Sequence, residues 1–255
     1  VFVPRLLADE AGNGVGASVT IQGDTCHVVI TELTEGMLSG KEDIPASLKD
    51  GEGETYQVTE VASEAFNEKP SNVIIALPEG VSTTNPVTNV INGDGTCETL
   101  DLTEVSGFET DKPLEVENVV YERAVEQGEA MTVCLPYDCD VPQDATVYVL
   151  DATTDGNVSF TPLEGNTMQA YQPYLMQLNQ GAPTQQPNKV RRANEVEVGK
   201  LRLGAKNVSI APTQEDAATS VGDFKLCGTV KGLTHAEGYN IKAYVMQPDM
   251  TWRMT

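Results

Sequence analysis

Short runs of β-branched and aromatic residues recur along the chain, separated by clusters of Gly, Asn, Asp and Pro that supply turn chemistry. Val19-Thr20-Ile21-Gln22, the pair Gly23-Asp24, and His27-Val28-Val29-Ile30 predict a hairpin near the start. Further strands are predicted at Tyr56–Val61, Val73–Leu77 and Thr99–Val105. Asn118–Tyr121, Met131–Leu135, Thr146–Leu150, Val158–Phe160, Tyr174–Leu178, Val208–Ile210 and Tyr239–Val245 continue the series. Helical periodicity is scarce. Its best instance, Ala62–Asn67, covers about two turns at most, below the length at which a helix is stable alone. The pattern predicts a mainly β protein.

Charge divides the chain further. Residues 1–112 carry 5 Lys and Arg against 20 Asp and Glu, whereas residues 113–255 carry 11 against 18. Asp111-Lys112-Pro113 is the expected joint, because Pro stops the element before it and the strand pattern after it is more regular. The polar stretch Asn179–Asn194 is read as a long loop inside the second domain. The formal net charge of -22 removes the phosphate attraction behind nucleic-acid binding and makes anionic membrane a poor partner. Cations or basic protein surfaces are the natural electrostatic partners. No run approaches the roughly 20 apolar residues of a membrane span, so no membrane insertion of this chain is expected. Val1–Arg5 lacks the basic region and apolar core of a signal peptide, so the expectation is a mature form or a cut piece of a longer chain.

One stretch is more specific than its composition. Ile44-Pro45-Ala46-Ser47-Leu48 is followed by Gly53, Tyr56-Gln57-Val58-Thr59-Glu60-Val61, Ala65-Phe66, Val73–Leu77 and Pro78-Glu79-Gly80-Val81. This resembles the BspA-like leucine-rich repeats of surface proteins from Bacteroides-type bacteria. There, a VTxI strand leads to an AF pair and an IxxLPxxV segment. Each such repeat buries its apolar strand positions and Phe only by stacking on a neighbour. The second half resembles the β-rich C-terminal region of the same proteins at Val120–Arg123, Met131–Asp138, Val147-Tyr148 and Ala170–Leu175. Two departures stand out. One clear repeat and one degenerate copy, Ile30–Leu33 running into Ile44-Pro45, are visible where a free-standing solenoid needs about three. Met131 stands where an aromatic is expected. The resemblance implies a leucine-rich-repeat-like unit over 1–112 and a β-sandwich-like domain over 113–255. It also implies export to the cell surface and a protein or glycan ligand on host or matrix.

Candidate chemistry is thin. Two histidines, His27 in a strand beside Cys26 and His235 in a turn, have no legible triad partners. Cys26, Cys97, Cys134, Cys139 and Cys227 follow neither a zinc nor a dense disulfide pattern. A Cys134–Cys139 bond requires Pro136 to bend the chain, since positions five apart in a strand start on opposite faces. The other cysteines read as isolated core residues. Asp94 in Asn92–Gly95, and Asp151 with Asp155, lack the regular spacing of a calcium loop and suit tight hairpins better. Tyr137, Tyr148, Tyr171, Tyr174, Tyr239, Tyr244 and Trp252 are either core or a sugar-stacking platform, with core favoured by their strand spacing. Lys189-Val190-Arg191-Arg192 reads as a solvated loop patch. A two-carboxylate glycan hydrolase leaves no local motif, and Glu60, Asp101, Glu122 and Asp138 are the acids expected to be most buried. No GxSxG, HExxH, GxGxxG or P-loop occurs. The expectation is a non-catalytic surface interaction protein with no catalytic residues, metal or cofactor. Glycan binding is the first alternative, and the hydrolase a weaker one.

Overall fold

The computed structural model describes residues 2–8, 14–22, 25–33, 42–104, 106, 108–125, 130–154, 157–179, 195–197, 199–214, 217–228, 244–246 and 252–254. The protein is mainly β, with no α-helix among the described residues. It divides into two compact units: residues 1–101 with 114–117, and residues 102–113 with 118–255.

In the first unit, β1 (Phe2–Ala8), β2 (Gly14–Gln22) and β3 (Thr25–Leu33) form an antiparallel meander. Val19 lies opposite Val28 and Gln22 opposite Thr25, which places the predicted hairpin in register. From there the pairing changes sign. Strand β3 pairs in parallel with β6 (Thr55–Val61), and β6 in parallel with β8 (Ser82–Thr83). A second parallel ladder joins β4 (Glu42–Asp43), β7 (Ile75–Ala76) and β9 (Val90–Ile91), with Asp43 opposite Ala76 and Ala76 opposite Ile91. Parallel neighbours cannot be joined by a hairpin, so the chain must travel a full circuit between them. Two ladders fed by the same circuits make a solenoid-like coil. Strand β5 (Ser47–Lys49) pairs antiparallel with β6, and Ala8 of β1 meets Lys49.

The apolar residues of these circuits share one core. Val28, Ile30, Val58, Val61, Phe66, Ile75, Leu77, Val81 and Val90 are all buried in it. Phe66 ends a 3-10 turn, Ser63–Phe66, where a short helix was predicted. Asn67 N–H donates to the Glu64 carbonyl, a three-residue bond, and Pro70 follows too soon for an α-helix to grow. Strand β10 (Thr96–Thr103) and the first residues of β11 (Leu114–Ala124) complete the unit, with Glu115 N–H donating to the Gly95 carbonyl at 3.0 Å.

The second unit is antiparallel throughout its described pairings. Strands β12 (Ala130–Val133), β14 (Ala145–Thr154), β15 (Asn157–Pro162) and β17 (Tyr174–Leu178) form a sheet of order β12-β17-β14-β15. Alternation along β17 buries Tyr174, Met176 and Leu178 on one face, and Met131 lies opposite Met176 in the neighbouring strand. Met131 is therefore a core residue. Strands β13 (Cys139–Asp140) and β16 (Thr167–Met168) pair with each other, and β18 (Glu195–Glu197) pairs with β19 (Lys200–Ile210). Two hairpins follow: β20 (Ala218–Val221) with β21 (Phe224–Cys227), and β22 (Tyr244–Met246) with β23 (Trp252–Met254).

A cleft in the second unit

The sequence candidates scatter. Asp94 uses its carboxylate within its own turn, accepting from Thr96 N–H at 2.9 Å and from the Thr96 hydroxyl at 2.7 Å. Asp151 is exposed at a register shift between Leu150 and Ala152, and Asp155 lies outside the described residues. None of the four acids expected to be most buried is so. Asp101, between buried Leu100 and Leu102, and Asp138 are exposed, while Glu60 and Glu122 are half-buried. Strand alternation explains Asp101: with both neighbours facing the core, it faces out. Asp138 accepts from Ala170 N–H at 2.7 Å, and Glu122 stands 3.4 Å from Lys200 and 3.6 Å from Arg202.

His27 is exposed in β3; His235, the patch at 189–192 and all of the 179–194 loop beyond Asn179 lie outside the described residues. Of the aromatic candidates, Tyr137, Tyr171 and Tyr174 are buried. Each hydroxyl is used inside the fold: Tyr137 donates to the Leu203 carbonyl at 2.9 Å and Tyr171 to the Ala211 carbonyl at 2.6 Å, while Tyr174 accepts from Gln169 N–H at 2.8 Å. Tyr148 is half-buried. Tyr239 lies outside the described residues, as do the side chains of Tyr244 and Trp252.

The thiols are more informative. Cys134 is a free thiol, as are Cys97 and Cys227, so no Cys134–Cys139 bond is present. Cys97 is buried, as expected of an isolated core residue, and so is Cys139, but Cys227, for which the same was expected, is exposed at the end of β21.

Cys134 and Cys227 line one cleft of about 240 Å³, assembled from segments far apart in sequence. Leu102 and Thr103 come from the end of β10 and Glu104 from the residue after it, Tyr121 and Arg123 from β11, Thr132–Pro136 from β12 and the bend after it, and Pro173 from the entry to β17. The chain leaves β12 at Cys134-Leu135-Pro136 because Pro136 has no N–H to continue a ladder. Polar groups gather on one wall. Arg123 Nε stands 3.1 Å from Glu104 Oε1, as an ion contact more than an aligned hydrogen bond, and an Arg123 terminal nitrogen donates to the Thr132 carbonyl at 3.4 Å. Burial pushes the Tyr121 phenol up to about 12, with Arg123 partly offsetting and Glu104 adding to the shift. Burial likewise pushes the Cys134 thiol up to about 11. Both stay protonated at neutral pH. The cleft thus offers a slot of mixed polar and apolar lining with one ionic wall, smaller than the roughly 300 Å³ at which sites for drug-sized ligands begin.

Sequence reasoning treated Cys227 and Cys134 separately, and no local signal joins them. Among the described residues no three His, Cys, Asp or Glu side chains gather as a metal site, and no helix is long and apolar enough to cross a membrane. Comparison of the chain with protein-family models, with curated proteins and with solved structures found no match.

Proposed function

We propose that this chain is a non-catalytic interaction protein of the bacterial cell surface, akin to BspA-like proteins, that adheres to a host or matrix protein. The observation that carries this reading is the pair of parallel ladders, β3-β6-β8 and β4-β7-β9. The segment that resembles a BspA-like repeat, residues 44–81, runs through both ladders, and its Val58, Val61, Phe66, Ile75 and Leu77 fill a common core. That is the packing a leucine-rich-repeat unit needs, and coils of this kind present extended surfaces to protein partners. A β-sandwich-like reading of residues 113–255 is supported by the antiparallel sheets with alternating buried faces. The net charge of -22 favours a basic partner surface.

Protein is preferred to glycan as the ligand class because Tyr137, Tyr171 and Tyr174 spend both faces and hydroxyls inside the fold. The test is saturable binding of the full chain to a panel of immobilised extracellular-matrix proteins, run beside a glycan array. Salt-sensitive binding to a matrix protein is the expected result. Binding confined to glycans, or turnover of any polysaccharide, overturns the reading. Fractionation that leaves the full-length protein in the cytosol of its source cells removes the surface location.

A further inference from the structure

We propose that the outer edge of β12 takes up an extended, lysine-bearing segment of the protein partner as an added strand, seated in the cleft beside that edge; the partner's nature rests on the adhesion reading above. Strand β12 ends the sheet β12-β17-β14-β15, and its described pairing is with β17 alone. In an antiparallel ladder the N–H and C=O of one residue point the same way, alternately toward and away from the neighbouring strand. The Thr132 carbonyl accepts from a terminal nitrogen of Arg123, which belongs to β11, so Thr132 turns both backbone groups away from β17. Leu135, of the opposite parity, turns its carbonyl the other way, accepting from Tyr171 N–H at 2.7 Å on the chain that leads into β17. The outward groups of β12 at Thr132 therefore face the cleft, which Thr132 itself lines.

An open strand edge is a template for another strand, whose main chain supplies affinity and whose alternate side chains supply specificity. Arg123 covers this edge lightly. Its bond to the Thr132 carbonyl is long, at 3.4 Å, and its Nε is drawn to Glu104 at 3.1 Å. An incoming N–H can take over the Thr132 carbonyl while Arg123 stays with Glu104. Charge then selects the occupant. Arg123 and Glu104 cancel one another, and the Glu104 side chain is 49% exposed at the cleft in a chain of net charge -22, so an ammonium is attracted and a carboxylate repelled. Leu102, Phe108, Val133, Leu135 and Pro173 line the same space and receive apolar side chains. Since successive side chains of a strand face opposite ways, the segment that fits alternates apolar residues with lysines.

The probe is a labelled heptapeptide of alternating valine and lysine with blocked ends, titrated into the full chain by fluorescence anisotropy and followed by hydrogen exchange. Saturable binding is expected, weakening on the order of tenfold between about 50 and 300 mM salt, with the Thr132 amide newly protected. Thr132→Pro removes the outward N–H and leaves the β17 ladder its bonds, a place where edge strands accept Pro, and should weaken binding by on the order of tenfold. Glu104→Gln, an exposed change that spares the backbone, should weaken it several-fold and flatten the salt dependence. Of two peptides of the same charge, one N-methylated at its valines and the other at its lysines, at least one should lose binding, because an added strand must donate from one edge. No binding of the parent peptide, equal binding of a glutamate-for-lysine peptide, or undiminished binding of both methylated peptides overturns the proposal. Peptide binding by a chain that binds no matrix protein counts against the adhesion reading alone, and matrix binding undiminished in Thr132→Pro counts against the edge alone.

Discussion

The two units solve the same problem, burying a β core without stranding polar backbone, in different ways. In the first unit the irregular segments between parallel ladders are held by a polar side chain inside the coil. Asn89 is fully buried with φ 61°, its Nδ2 donating to the carbonyls of Ser71 at 2.7 Å and Asp101 at 3.0 Å, and its Oδ1 accepting from Asp101 N–H at 2.6 Å. Asn tolerates that backbone conformation better than other residues with a Cβ. In the second unit, antiparallel hairpins satisfy most of their own backbone, and the leftover carbonyls at Leu203 and Ala211 are met by the tips of core tyrosines. The difference is one of reach. An amide serves three groups beside its own backbone, whereas a phenol carries its polar atom across the core and packs its ring on the way. The first unit is therefore the more sensitive to single changes at its turns, and the second to loss of aromatic volume.

The substitution expected to break this comparison most sharply is Gly93→Ala. A Cβ there would lie 2.0 Å from the Pro78 carbonyl oxygen, a backbone atom that has nowhere to go, while Gly93 N–H holds the Val81 carbonyl at 2.8 Å. A loss of about 3–5 kcal/mol is expected, at the far end of what one residue does. Hydrogen exchange should show it as lost protection in residues 44–101, with the β12-β17-β14-β15 sheet still protected. Gly51→Ala, with open space around it, is the control. Equal loss in both units would show that the first unit is not separately fragile. Asn89→Ala should follow at about 3 kcal/mol, because it orphans buried donors and acceptors and places Ala at positive φ. Asn89→Gly, which relieves only the backbone, should recover less than half, as read from urea midpoints.

The legibility of the two units differs for the same reasons. Alternating runs located the strands well: Tyr56–Val61 is found at Thr55–Val61, and Tyr174–Leu178 is a strand over those very residues. Val73–Leu77 fared otherwise. Val73, Ile74, Ile75 and Leu77 are all buried, yet only Ile75–Ala76 is strand, because an unbroken apolar run marks burial on several sides without stating its conformation. Strand β1 has no counterpart among the predicted runs, and it carries Pro4, a residue unsuited to a central strand. It is tolerated because, among the described pairings, β5 meets β1 at Ala8 alone and Pro4 faces Ser18 of β2 on one edge. Asn89 gave no signal in Asn85-Pro86-Val87-Thr88-Asn89, since its importance comes from Ser71 and Asp101. The cleft was invisible for a related reason: it is made where β10, β11, β12, β17 and β21 converge, and no window of the sequence contains two of its thiols.

Alkaline pH sharpens the comparison by acting on both units at once. Burial pushes Cys97 in the first unit and Cys134 in the second up to about 11 from an ordinary value of 9.0. A folded-state value raised above the unfolded one favours the protonated fold. That stability is fully present below pH 9 and is lost as pH rises through about 11, because the unfolded chain gives up its thiol protons first. Each thiol accounts for about 2–3 kcal/mol over that window. Urea midpoints measured at pH 8 and pH 11 should fall in both units, and midpoints that hold steady would dispose of the thiol linkage. Cys97→Ala should remove the part of the fall that belongs to the first unit.

The smallest effect expected is also the most specific to the second unit. Tyr137→Phe keeps the buried ring and removes one oxygen, leaving the Leu203 carbonyl of β19 without its phenolic donor in a site that excludes water. An unmet buried carbonyl costs about 1–2 kcal/mol, partly offset because the ring no longer has a hydroxyl to desolvate. Tyr174→Phe removes an acceptor and leaves Gln169 N–H, on an exposed residue where water can replace the phenol. It should cost about 0.5 kcal/mol or less. The two changes delete the same atom from two buried rings, so their difference isolates whether the partner can be rehydrated. If Tyr174→Phe proves as costly as Tyr137→Phe in urea titrations, the tyrosines act in this unit through packing alone, and the contrast drawn with Asn89 fails.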